Sequence, residues 1–205
     1  MQPTFESRKS VSDGYAKPEK LKQIVKFLSD DLAKHPNPIA RLELTRQYIE
    51  SQFSRFGLNS RLQTFEVDGQ TYSNVIVDIP SKKECPLIVI GAHYDTYHNL
   101  PGADDNASGV AALIELGGAL SKSNKVRCPI QLVAYANEEP PFFRTPGMGS
   151  YVHAKSLKDE GIEISFMLSL ETLGYFSDEE GSQLYPTPLL GLLYPSKGNF
   201  ITLVG

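Results

Sequence analysis

The chain has 205 residues, of which 40% are hydrophobic and 21% charged, with a formal charge of −4. That is enough for one globular domain with its own core, and the acidic balance argues against the basic face that nucleic acid or an anionic membrane would require. No apolar run approaches the roughly 18 residues of a membrane helix, and two cysteines, Cys85 and Cys128, are too few for a disulfide scaffold or a thiolate zinc site.

Residues 1–17 hold little apolar content and are expected to form a loose arm, leaving 18–205 as the folded domain. The polar start shows no secretion-signal core, so a cytoplasmic location is the default expectation, with both thiols free and buried. A helix is predicted over 18–33, opened by Pro18 and broken by His35-Pro36-Asn37-Pro38. A second spans 39–56, with Gly57 as its stop. The hydrophobic period then shortens to two. Residues 61–67 and 72–79 read as the arms of a hairpin turned at Asp68-Gly69. Three nearly continuous apolar runs, 87–92, 130–136 and 164–170, have the composition of strands buried on both faces. Helical patterns at 107–120 and 149–160 separate them, which predicts an α/β fold with a mixed, mostly parallel sheet covered by helices on both faces. Residues 177–198 read as a long loop and 200–204 as one more strand.

Sites in such sheets form outside the carboxyl ends of the strands. The three buried runs are followed by His93 and Asp95 in GAHYD, by Glu138 and Glu139 in ANEEP, and by Glu171 in SLETLGY. The turn GADDNASG, with Asp104 and Asp105, falls beside the first two. Taken singly, each of these residues has an ordinary reading: a structural histidine, helix-capping acids, a solvated loop, a carboxylate paired with a lysine. Together they cannot stand as bare anions, because two like charges 4 Å apart repel by about 4 kcal/mol at an effective dielectric near 20. Several carboxylates with one imidazole suit a divalent ion such as Zn²⁺, and a carboxylate able to bridge suits a pair of ions.

GAHYDT, PGADDNASG, NEEP, GMGS and SLETLGY, in this order and spacing, resemble the zinc aminopeptidase and glutamate carboxypeptidase family of co-catalytic metallo-exopeptidases over roughly residues 20–205. The resemblance implies the zinc-exopeptidase fold, two Zn²⁺ sites and a peptide substrate. It implies His93 as a terminal ligand of one ion, Asp105 as the bridge between the two, Glu139 as a ligand of the other, and Glu171 as the third-strand carboxylate ligand, where other members carry Asp. Asp95 would orient the His93 imidazole, Glu138 would be the general base, and Asp105–Asn106 would be a cis peptide. The family carries a further histidine ligand late in the chain, whereas none follows His153 here. The expectation is therefore a C-terminally truncated stretch of a longer enzyme, poorly soluble alone and weak in binding the Glu139-side ion. The leading function is an aminopeptidase. Glutaminyl-peptide cyclotransferase with a single zinc, and an inactive fragment or binding domain, are the alternatives. Phe142, Phe143, Tyr175 and Tyr185 are candidates to line a side-chain pocket, His98 is expected in a loop near its mouth, and His35 and His153 are expected to be structural or solvated. Oligomeric state is not legible in the sequence.

Overall fold

The computed structural model describes residues 16–204 apart from 82, 99, 186 and 188; most of the expected N-terminal arm lies outside the described residues. Pro18 opens α1 (Pro18–Lys26), which a wider helical turn, Phe27–Leu32, extends. Asn37 caps α2 (Pro38–Arg55) by accepting hydrogen bonds from the amides of Ile39 and Ala40, and Gly57 ends it at φ 73°. β1 (Ser60–Val67) and β2 (Gln70–Ile79) form the expected hairpin, whose Asp68 and Gly69 both take positive φ, as a tight two-residue turn needs. β3 (Leu87–His93), α3 (Gly109–Ser121), β4 (Ile130–Tyr135), α4 (Gly149–Asp159) and β5 (Ile164–Ser169) follow.

The sheet order is β1-β2-β4-β3-β5. β4, β3 and β5 pair in parallel, and β2 runs antiparallel to both β4 and β1, so four strands share one direction and the sheet is mixed. Side-chain alternation sends Val75, Val77, Leu132, Ala134 and Ala92 to one face, against Ile24, Ile49, Phe53, Val110, Leu113 and Ile114 of α1, α2 and α3. Ile76, Val89, Val133 and Tyr135 face the other way, against Leu157 of α4. Because α3 leaves β3 over one face and α4 leaves β4 over the other, the connections diverge between β3 and β4 and open a crevice at their carboxyl ends.

Asn74 anchors the rim of this crevice from full burial. Its side-chain amide donates to the Gly149 carbonyl and to Gln63, and its oxygen accepts from the Ala136 amide. That joins β1, β2, the end of β4 and the start of α4. Gly149 has no room for a side chain, since a Cβ there would stand 2.6 Å from the Ala136 carbonyl.

Three expectations are corrected. β5 is not buried on both faces: Phe166 and Met167 are about half exposed, because β5 is an edge strand paired only with β3 and α4 reaches little of it. Residues 200–204 form no strand, since they join no ladder, and Ile201, Leu203 and Val204 stand in solvent. Cys85 and Cys128 are not free thiols but a disulfide, with Cα atoms 5.5 Å apart. The β3–β4 register places Ile88 opposite Ile130, which carries the preceding residues together. No helix among the described residues is long and apolar enough to cross a membrane.

His153 is structural, as expected. It sits 2% exposed between the Tyr135 hydroxyl, which donates to Nδ1, and the Gln131 amide oxygen, which accepts from Nε2–H, each at 3.0 Å. Burial, with the nearby Arg61 charge, pushes it down from 6.5 to about 4. The unfolded chain therefore binds this proton more readily, and stability drains as pH falls from 6.5 towards 4. His153→Gln is expected to remove about 2–3 kcal/mol of that acid sensitivity in urea titrations across this window, and equal pH slopes in both proteins would contradict it. Asn74→Leu strands two buried backbone groups and is expected to cost about 2–4 kcal/mol, read as a lower urea midpoint at unchanged slope.

Candidate metal centre

His93 is the last residue of β3 and is 4% exposed. Its Nδ1 lies 3.2 Å from the Asp95 carbonyl oxygen and 3.4 Å from Asp95 Oδ1. Both partners are acceptors, so Nδ1 carries a proton and Nε2 is aimed away from the strand, at the acids. There Asp105 Oδ1 stands at 3.0 Å, Glu171 Oε1 at 3.4 Å and Glu138 Oε2 at 4.0 Å. One ligand atom each from His93, Asp105 and Glu171 lies within 4.8 Å of the others, and the same holds for His93, Glu138 and Glu139. Six of the seven residues singled out in the sequence, all but Asp104, thus converge at one sheet edge. Glu139 joins the set containing Glu138, and Asp105 joins the set containing Glu171.

Local structure explains the convergence. Asp95 lies two residues beyond the end of β3, and its carboxylate accepts the backbone N–H of Glu138 at 3.0 Å and of Glu139 at 2.9 Å. One side chain thereby fixes both the imidazole and the loop after β4. The Asp105–Asn106 peptide is cis, as the resemblance implies, and Pro140–Pro141 is cis as well. Asn106 donates to the Leu170 carbonyl at 2.9 Å and accepts from the Gly109 amide, tying the start of α3 to the end of β5 beside Glu171. Asp104 does not join the acid cluster; it accepts from the Gly174 amide at 2.7 Å and closes the loop after β5. Ser108 takes the Leu173 amide in the same way. Asn106 and Ser108 were not assigned roles from the sequence, although both lie inside GADDNASG.

Electrostatics follows from this crowding. Burial opposes a charge on His93, yet the carboxylates of Asp95 and Glu171 outweigh it and raise the imidazole to about 11. Asp105, Glu138 and Glu139 are each raised above the ordinary carboxylate range, first by burial and then by one another, with His93 pulling the other way. Among the described residues no lysine or arginine pairs with any of these acids.

Beside the acids, between α2 and the loops after β3 and β4, lies a cavity of about 450 Å³. Tyr72, Tyr94 and Phe142 form aromatic walls, and Asp95 and Glu139 reach it from the site. His98 lies at this cavity in an exposed loop, as expected. Phe143, Tyr175 and Tyr185 do not line it. Phe143 packs under Arg144, while the Tyr175 and Tyr185 hydroxyls donate to the Ser182 and Pro195 carbonyls in the loop that follows β5.

A parallel-stranded crevice that gathers one imidazole and several unpaired carboxylates is the layout of a metallohydrolase. Residues 74–190, more than half of the chain, match Peptidase family M28, and the chain belongs to that family. It is 42% identical over 202 residues to the uncharacterized protein YfbL of Escherichia coli K12, covering 93% of this chain and 60% of YfbL. It is 32% identical over 124 residues to aminopeptidase YwaD of Bacillus subtilis, covering 60% of this chain and 26% of YwaD. The crystal structure of a glutaminyl cyclase from Fimbriiglobus ruber shares the fold at a TM-score of 0.63 and 17% identity, over 84% of this chain and 67% of that one. The chain thus spans 60% of the length of YfbL and 26% of that of YwaD, less than two thirds of either.

Asp95→Ala is expected to release the loop after β4. Amide exchange at Glu138 and Glu139 should accelerate by roughly tenfold or more, the worth of a charge-assisted hydrogen bond, with β2 and β4 core amides unaffected. Unchanged protection at both amides would show that Asp95 does not hold them.

Proposed function

We propose that the protein is a zinc-dependent exopeptidase, most simply an aminopeptidase that hydrolyses the N-terminal peptide bond of a peptide substrate. The observation that carries this reading is the donor set around His93 Nε2, with Asp105 at 3.0 Å and Glu171 at 3.4 Å, and with Glu138 and Glu139 converging on the same imidazole. A nitrogen donor with hard carboxylate oxygens suits Zn²⁺ or a similar borderline ion, and among the described residues no lysine or arginine neutralises the cluster. The residues therefore fit the group. His93, Asp105 and Glu171 would hold one ion, and Glu139 would serve a second, with Asp105 as the shared carboxylate. Membership in a peptidase family, with a named aminopeptidase among its relatives, supports the hydrolytic assignment.

When bound, zinc supplies Lewis-acid polarisation of the scissile carbonyl and acidifies the attacking water. The other work falls to this chain. Glu138, raised by burial, is a carboxylate of useful basicity at the site, able to take the proton of the attacking water and return it to the leaving amine. Asp95 keeps Glu138 in place through its backbone amide and engages His93 at Nδ1, so that Nε2 would be the nitrogen to serve as a ligand. The glutaminyl cyclase reading shares this scaffold; two acidic sets around one histidine favour the peptidase.

The test uses zinc-titrated protein, a leucyl anilide and a glutaminyl peptide. Glu138→Gln is expected to lower anilide turnover by about 10²-fold or more while leaving zinc affinity within a few fold of wild type in chelator competition. Asp105→Ala is expected to weaken zinc itself. Cyclisation of the glutaminyl peptide without anilide hydrolysis would overturn the peptidase reading, and wild-type turnover by Glu138→Gln would overturn the assigned base.

A further inference from the structure

Arg41 is a cation at the end of the first turn of α2, where the helix dipole disfavours positive charge. Its guanidinium lies in the wall of the aromatic cavity, and it is the only lysine or arginine among the described residues that line it. Nη2 donates to Thr96 Oγ1 at 3.2 Å and to the His98 carbonyl at 2.8 Å. The N–H groups on Nε and Nη1 have no acceptor among the described residues, and no carboxylate pairs with the charge. The two bonds on Nη2 pin the planar head to the loop that begins at Asp95, so the rest of the fork is held rather than swinging in solvent. Tyr72, Tyr94, Phe142 and Leu42 make the surrounding wall apolar, and Asp95 and Glu139 connect the cavity to the acid cluster. Its volume of about 450 Å³ lies within the range of small-molecule pockets, roughly 300–1,000 Å³.

An oriented guanidinium with unused donors, set in an apolar pocket, recognises a carboxylate borne on a hydrophobic group. We propose that this cavity is the subsite for the residue on the leaving side of the scissile bond, and that Arg41 binds a carboxylate on that residue. The inference rests on the exopeptidase reading and names its substrate class: short peptides whose leaving residue is negatively charged, foremost dipeptides with an apolar C-terminal residue. Such a substrate is a zwitterion, and the cavity presents charges of both signs, acids at the metal-site end and Arg41 in the wall. Two sources of carboxylate share this chemistry, the peptide C-terminus and an acidic side chain, and the experiment separates them.

The zinc-loaded full chain is assayed on Leu-Phe against Leu-Phe-NH₂ and on Leu-Asp-NH₂ against Leu-Asn-NH₂. In parallel, calorimetry measures binding of the uncleavable reduced-bond analogues of all four, with and without zinc. A preference of about tenfold or more for the charged member of either pair is expected, in kcat/KM and in binding, and the pair that shows it identifies the source. Arg41→Gln should bring that ratio below about threefold while Arg41→Lys retains part of it, since Lys keeps the charge but loses the fork. No preference in either pair for the wild type, which needs no variant to fold, would overturn the proposal, as would a ratio that survives in Arg41→Gln. Hydrolysis of all four peptides without discrimination would sink the subsite and leave the peptidase reading standing. Charge-selective binding with no hydrolysis would do the reverse.

Discussion

Five carboxylates, those of Asp95, Asp105, Glu138, Glu139 and Glu171, surround one buried imidazole. Such a set is costly to assemble, because Asp105, Glu138 and Glu139 are each harder to ionise beside their neighbours and no lysine or arginine among the described residues relieves them. The protein meets this cost with backbone amides and with the one imidazole of His93. Asp95 is spent on two amides of the neighbouring loop and on the orientation of His93. Asn106 and Ser108 are spent on the loop after β5. What remains is the inner set, whose acids share the single His93 imidazole and have no lysine or arginine partner among the described residues.

The sheet is the device that makes such a set possible. β3, β4 and β5 are parallel neighbours, so their carboxyl ends lie side by side and their next residues meet without long loops. The opposite exits of α3 and α4 then open the space between β3 and β4. Asn74 and the side-chain-free Gly149 lock β2, β4 and α4 together just below that opening. At the other end of the same strands, the Cys85–Cys128 disulfide ties the segments that enter β3 and β4.

The cavity beside the acids bears on selectivity as the cluster bears on chemistry. Its aromatic walls come from β2, the end of β3 and the loop after β4, and its cation comes from α2. Elements far apart in sequence therefore define the cavity that adjoins the acids. In a fold shared by peptidases and a glutaminyl cyclase, differences in such walls are where one scaffold can acquire different substrates.

Much of the site was legible in the sequence because all of its acids but Asp105, which lies in the GADDNASG turn, follow a strand with an unmistakable apolar run. His93 closes LIVIGAH, Glu138 and Glu139 follow IQLVAY, and Glu171 follows ISFMLS. Strand identity and the α/β alternation come from local periodicity, and the ligand chemistry comes from residue type. Burial of β5, the state of the two cysteines and the fate of residues 200–204 were misread. Hydropathy reports that a segment is apolar, but not whether a neighbour covers it or a ladder pairs with it. Only the tertiary structure decided that Asp95 holds two amides, that Asn74 is a hub, and that Arg41 lines the cavity with donors that find no acceptor among the described residues. Those facts depend on distances between residues tens of positions apart, which no local pattern encodes.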